Sequence, residues 1–210
     1  MTLRSDSLQF ADCLTELARL FGAPLEEVEV AALIANQRFD ALHVLDCDPR
    51  HHPDLCGAIS AVTSVGDAAA ATSLLNAAFC RLFLGLGPSA ATLPIESAHR
   101  GNGRLFQEPV SIMSDMLAAH GLCPSKNFTE PPDHLAIELS LLEQLIRLQA
   151  SLVEVDERAA ISTLCRRLAE WTPDFAAAVA ANDPTGFYAA LARILVRLLE
   201  DAVLDLAPVA

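Results

Sequence analysis

The sequence predicts an all-α fold, a compact bundle of roughly nine to eleven helices. Apolar residues recur at steps of three and four between nearly all turn signals, the period of a helix face. The alternating runs of β-branched and aromatic residues that would mark strands are almost absent. Of 210 residues 52% are hydrophobic, and the mean hydropathy of +0.35 is far above that of chains too polar to bury a core. A chain of this length buries roughly 70% of its unfolded surface.

In order, Leu8, Ala11, Leu14, Leu17, Ala18 and Phe21 trace one face of a first helix that ends at Gly22. Pro24 opens a second, with Glu26, Glu27 and Glu29 at the positive end of its dipole. A loop follows, holding Cys47, Pro49, His51, His52, Pro53 and Cys56. Asp67 caps a long helix running to about Leu84, stopped by Gly85, Gly87 and Pro88. On it Leu74, Leu75, Ala78, Phe79, Leu82 and Phe83 cover an arc of about 180°, wide enough either to serve two neighbours or to leave a binding face.

The polar stretch 88–103 is a candidate functional loop. Pro109 starts a helix that Gly121 ends, and a second linker spans 123–132. That linker divides an N-terminal helical part, 1–122, from a C-terminal part, 133–210, and the two can pack as one domain. From Asp133 a helix carries apolar residues on two sides, Leu135, Leu139, Leu142, Leu145 and Ile146 on one, Ile137, Leu141 and Leu148 on the other. Glu138 falls inside the larger apolar face and needs a donor or a cation. Thr172-Pro173 and Asp183-Pro184 read as the starts of the last two helices. Arg166 and Arg167 fall in the last turns of the helix before them, where basic residues favour the dipole.

The charge excludes further classes. Against 27 acidic residues stand 14 basic ones, a formal net charge of −13. Such a surface repels phosphates, which argues against nucleic acid and for a basic partner. No apolar run approaches the ~20 residues of a membrane span, and the N-terminus lacks an export signal, so the expected place is the cytoplasm. Six cysteines are too few for a secreted disulfide scaffold and are expected as free thiols.

The most unusual segment is Glu130-Pro131-Pro132-Asp133-His134-Leu135-Ala136-Ile137-Glu138-Leu139. Its prolines hold the approach extended, so that Asp133 and His134 stand at the mouth of a helix. The plain reading makes Asp133 a cap and His134 a solvent-touching first-turn residue.

This segment resembles the signature of the TorD/DmsD family of redox-enzyme maturation chaperones, in which Glu-Pro-x-Asp-His opens a central helix. Phe79-Cys80-Arg81-Leu82-Phe83-Leu84-Gly85 is similar to the family's aromatic-x-x-Leu-Phe segment and Leu93-Pro94-Ile95-Glu96-Ser97 to its Pro-Tyr-Glu-Ser segment, with Ile95 where tyrosine is usual. Trp171-Thr172-Pro173-Asp174-Phe175 followed by Phe187-Tyr188 resembles its C-terminal pattern. The likeness runs from about residue 67 to 205, and the N-terminal third matches only in being helical.

The resemblance implies a TorD-like fold and a cytoplasmic chaperone, not an enzyme, that binds the twin-arginine signal peptide and apo form of a molybdenum-containing oxidoreductase, assists cofactor insertion and prevents premature export. Such a leader calls for carboxylates beside an apolar groove. Asp133 and Glu96 are the candidate arginine partners, Phe79, Leu82, Phe83 and Pro132 the apolar lining, and Pro94 and Ser97 flank Glu96 in the same motif. His134 orders Asp133 or meets the peptide backbone. No tightly bound cofactor is implied beyond weak binding of a guanine nucleotide or of molybdopterin guanine dinucleotide, and the state is a monomer or a domain-swapped homodimer.

Three other readings compete. Catalysis by Asp133, His134 and Glu138 lacks a nucleophile motif or a phosphate-binding glycine loop. Cys47, His51, His52 and Cys56 offer Cys-x3-His and His-x3-Cys spacing, but zinc sites more often use Cys-x2-Cys pairs and adjacent histidines on an extended loop point apart, so no metal is expected. The alternative function is a helical protein–protein adaptor with an unrelated client, using the same acidic surface.

Overall fold

The structure is a computed structural model that describes residues 3–86, 91–100, 105–124, 128–151 and 156–206, with residues 3–6 by backbone alone. Among these residues the elements are nine α-helices, a 3-10 turn at Leu42–Leu45 and one isolated bridge. The all-α expectation holds.

The contacts divide the chain into two compact units, Met1–Gly22 with Pro94–Trp171 and Ala23–Leu93 with Thr172–Ala210. This is not the division at 123–132 that the sequence suggested. Helices pair with partners distant in sequence, so each unit is assembled from two separated pieces of chain.

In the first unit α1 (Leu3–Gly22) packs on α7 (Leu135–Ser151). Ala11, Leu14, Leu17, Ala18 and Phe21 are buried as the periodicity requires, and α7 buries nine residues on both its apolar sides. Each buried leucine contributes roughly 1.5–3 kcal/mol. Gly22 lets α1 end against α7, since a Cβ there would lie 3.1 Å from that of Ala136. Across the exposed stripe Arg147 pairs with Glu143 and, at 2.7 Å, with Asp12 of α1. The unit also holds α5 (Glu96–His99), α6 (Glu108–Ala119) and α8 (Arg158–Asn182) as far as Trp171. The predicted loop 88–103 is therefore interrupted by a short helix; 87–90 and 101–104 lie outside the described residues.

The second unit contains α2 (Glu27–Asn36), α3 (His52–Thr63), α4 (Ala68–Phe83), the end of α8, and α9 (Phe187–Asp205). α2 packs on α3 and α4, and α3 on α9. Glu26 and Glu29 form a capping box on α2, and the Asp67 carboxylate accepts from Ala70 N at 2.8 Å to cap α4. The loop expected up to Cys56 ends at His51: Pro53 sits in the first turn of α3, where its missing N–H matters least. Of the wide α4 face only Leu74 is exposed. Phe79 and Phe83 stack edge-on at 5.1 Å, and Phe83 meets Tyr188 at 5.2 Å and Phe175 at 6.0 Å.

Two predicted helix starts are corrected. Thr172-Pro173 begins nothing, because α8 runs through Pro173, whose fixed φ suits a helix even though its nitrogen cannot donate. α9 starts at Phe187, three residues after Pro184. Asp183 caps it from a distance, Oδ1 accepting from Thr185 N and Oγ1 and Oδ2 from Ala189 N at 2.9 Å, while Gly186 adopts φ +74° between them.

Among the described residues no single helix is long and apolar enough to cross a membrane. α3 and α4 satisfy length and composition only when joined, and they are bent by 118°.

Candidate functional site

The motif around Asp133 is built entirely within the first unit, as a clasp between two short stretches of extended chain. Glu96 N donates to Asp133 O at 2.9 Å and Leu135 N to Pro94 O at 2.8 Å, which makes Ile95 and His134 an antiparallel bridge. Prolines at 94, 131 and 132 keep the chain extended on both sides.

The capping roles are exchanged relative to expectation. His134, not Asp133, caps α7: its Nδ1 accepts from Ala136 N at 3.1 Å. That bond fixes the neutral tautomer with hydrogen on Nε2, as assigned from the hydrogen bond. Burial agrees, lowering the imidazole pKa to about 4, and the Phe128 ring closes over it edge-on at 5.2 Å. Asp133 serves α5 instead, its Oδ2 accepting from Ser97 N at 3.0 Å. A four-residue helix thus takes its cap from a segment 36 residues away. Asp133 is wholly buried, and among the described residues its Oδ1 and the Ser97 Oγ have no hydrogen-bond partner.

Behind the clasp lies a buried polar cluster. Glu96, 0% exposed, binds Arg100 Nη1 at 2.8 Å through Oε1 and Arg167 through Oε2. Arg100 also holds Glu170 at 2.7 Å. Glu138, likewise 0% exposed, accepts from Trp171 Nε1 at 3.1 Å, and His99 stacks on that indole at 5.5 Å. Burial, then the neighbouring Glu96 carboxyl, push the Glu138 pKa well up against the opposing pull of Arg167. The raised value favours the protonated form of Glu138, while two guanidiniums pair with Glu96. The sequence foresaw that Glu138 needs a partner. It missed Arg167, read as a last-turn dipole residue, whereas α8 runs on to Asn182 and the Arg167 side chain is only 10% exposed, because nothing local to 166–167 shows which arginine turns inward.

Of the nine candidate site residues, Pro94, Glu96, Ser97, Pro132, Asp133 and His134 come together here, all buried except half-buried Pro132. Phe79, Leu82 and Phe83 lie in the second unit and are buried in its aromatic core rather than lining an open groove. Cys47, His51, His52 and Cys56, also in that unit, do not converge as one set: His52 and Cys56 group with Asp46, His51 with Asp48 and Asp201, and Cys47 with neither. All six cysteines are free thiols.

A family model described as nitrate reductase delta subunit matches residues 50–177. The chain is 36% identical over 132 residues to the chaperone protein TorD of Aliivibrio fischeri, covering 60% of this chain and 61% of that protein. It is 32% identical to the TorD of Escherichia coli O45:K1, covering 88% of this chain and 89% of that one. A crystal structure of a proposed redox enzyme maturation protein from Archaeoglobus fulgidus has the same fold, with a TM-score of 0.54 at 19% identity over 95% of both chains. The motif that forms the clasp, the family model over residues 50–177 and the TorD relatives lead to one assignment: the chain belongs to the TorD/DmsD family of redox-enzyme maturation chaperones.

Proposed function

We propose that the protein is a cytoplasmic chaperone that binds the twin-arginine signal peptide and apo form of a molybdenum-containing oxidoreductase, holding the client until its cofactor is inserted. The supporting observation is Asp133. A fully buried carboxylate with one oxygen fixed by Ser97 N and the other unpartnered among the described residues is unusual, because buried acceptors are nearly always satisfied. A guanidinium would complete it with a charge-assisted bond. Glu96, by contrast, is already neutralised by Arg100 and Arg167, so it supports the clasp and Asp133 does the reading. Because Asp133 is buried, the leader reaches it only through local opening of the clasp, which couples binding to a conformational change. The net charge of −13 draws a basic leader toward the surface.

The test is titration with a twin-arginine leader peptide and its twin-lysine counterpart. The arginine peptide binds more tightly, and Asp133→Asn, which keeps the side-chain shape, removes at least about tenfold in affinity, or ~1.4 kcal/mol. Asp174→Asn, at an exposed position, leaves affinity unchanged. Equal affinity for the two peptides defeats the reading and leaves an adaptor with an unrelated client.

A further inference from the structure

We propose that Asp46, His52 and Cys56 form a binding site for a divalent transition-metal ion of the zinc class. His52 opens α3 and Cys56 follows one turn later, so an imidazole and a thiol share one helix face. Asp46 ends the 3-10 turn at Leu42–Leu45, and the reversal through 47–51 brings its carboxylate back over His52. The Asp46 Oδ1 to His52 Nδ1 distance is 2.8 Å and His52 Nε2 to Cys56 Sγ is 3.4 Å, and one ligand atom from each residue lies within 4.8 Å of the other two. A tetrahedral zinc with ordinary bond lengths holds nitrogen and sulfur ligands about 3.6 Å apart. The helix thus already sets the nitrogen–sulfur span, and the exposed Asp46 carboxylate has only to swing from the ring onto the ion.

The donor chemistry is selective. One sulfur, one nitrogen and one oxygen favour zinc, cobalt or nickel over magnesium or calcium, which prefer all-oxygen shells. On binding, the Cys56 thiol loses its proton to solvent, and thiolate and carboxylate together balance the two positive charges of the ion. Asp46 and His52 are more than half exposed and Cys56 is exposed, so three protein ligands leave the fourth position open to water or to a donor from another molecule.

The neighbouring cluster of Asp48, His51 and Asp201 is different in kind. Arg50 clamps both carboxylates, at 2.7 Å and 2.8 Å, and already supplies the positive charge. His51 is buried beside them, and burial, with the nearby Arg197, lowers its pKa. A cation there must evict a guanidinium, whereas among the described residues Asp46 pairs with His52 and with no arginine.

The experiment is titration of the reduced, metal-free full chain with Co2+, followed by competition with Zn2+. The expected result is one equivalent of cobalt with a sulfur-to-cobalt charge-transfer band in the near ultraviolet that Zn2+ abolishes. Cys56→Ser removes the band, His52→Gln and Asp46→Asn each weaken binding at least tenfold, and His51→Gln and Cys47→Ser leave it unchanged. Independently of any variant, one equivalent of Zn2+ slows alkylation of Cys56 in the wild-type chain at least tenfold while Cys123 reacts as before. Absence of the band in the wild type, its survival in Cys56→Ser, or its loss in His51→Gln but not in His52→Gln overturns the proposal, as does alkylation of Cys56 that zinc does not slow.

Discussion

Glu138 and Glu96 lie in one buried cluster, both 0% exposed, with Trp171 Nε1 donating to the first and Arg100 and Arg167 paired with the second. Burial, with the Glu96 charge beside it, raises the Glu138 pKa and favours its protonated form. The two glutamates are therefore not equivalent to mutation. Glu138→Gln keeps the acceptor for Trp171 and offers an amide hydrogen to Glu96, so its unfolding free energy stays within about 1 kcal/mol of wild type. Glu96→Gln strips the counter-charge from buried Arg167 and costs about 3–5 kcal/mol. Urea unfolding of the two variants measures both.

The same proton gives a pH signature. Between the ordinary carboxyl value of 4.5 and the raised folded value of Glu138, the native chain binds one proton more than the unfolded chain. The contribution of this group to stability therefore falls as pH rises above 4.5. Glu138→Gln removes that slope, so the wild-type-minus-variant stability difference declines with rising pH. A flat difference would mean that Glu138 is ionised.

His134 works in the opposite sense. Its folded pKa of about 4 lies below the ordinary 6.5, so the unfolded chain takes up a proton that the native ring refuses. Stability is lost as pH falls through that window, by about 3 kcal/mol at ~1.4 kcal/mol per pH unit. His134→Asn keeps a side-chain acceptor for the α7 cap and removes this acid sensitivity. Thermal unfolding between pH 7 and pH 4 separates the two proteins.

The thiols differ in reactivity. Burial pushes Cys13 and Cys165 up to about 12, so at pH 8 iodoacetamide labels exposed Cys47, Cys56 and Cys123 and spares the buried pair. All six are labelled in urea. Peptide mass spectrometry reads the pattern directly, and labelling of Cys165 in the native chain would contradict the packing of α8.

Asp183 caps the last helix as its sequence suggests, but from a distance, since α9 starts at Phe187 rather than at Pro184. Asp183→Ala removes the carboxylate that holds Thr185 and Ala189 N and lowers stability by about 1–2 kcal/mol, against no measurable change for Asp205→Ala at the far end of the helix.

Helical content and most helix faces were legible because they depend on spacing within one segment: the stripe of α1 and the two-sided burial of α7 are both visible in the chain. The need of Glu138 for a partner was legible too, since a carboxylate on an apolar face cannot stand alone. What the sequence concealed depends on pairs far apart. Nothing near Asp133 reveals that it caps α5 rather than α7, and nothing near Arg167 reveals Glu96. Pro173 read as a helix start because proline at a first turn and proline accommodated within a helix look alike until the flanking turns are seen. The loop to Cys56 concealed a helix start for a related reason, so the grouping of Asp46 with His52 and Cys56 had no local sign.

The pairing of α1 with α7 has a consequence for synthesis. More than a hundred residues separate these helices in the chain, so at roughly 5–20 residues per second the first helix leaves the ribosome many seconds before its partner exists. During that interval Leu14, Leu17 and Phe21 face water or whatever shields nascent chains. The second unit is delayed further, since α9, which packs on α3, emerges after α7. A protein of a chaperone family thus passes, while it is being made, through a stage in which its own apolar faces lack their partners.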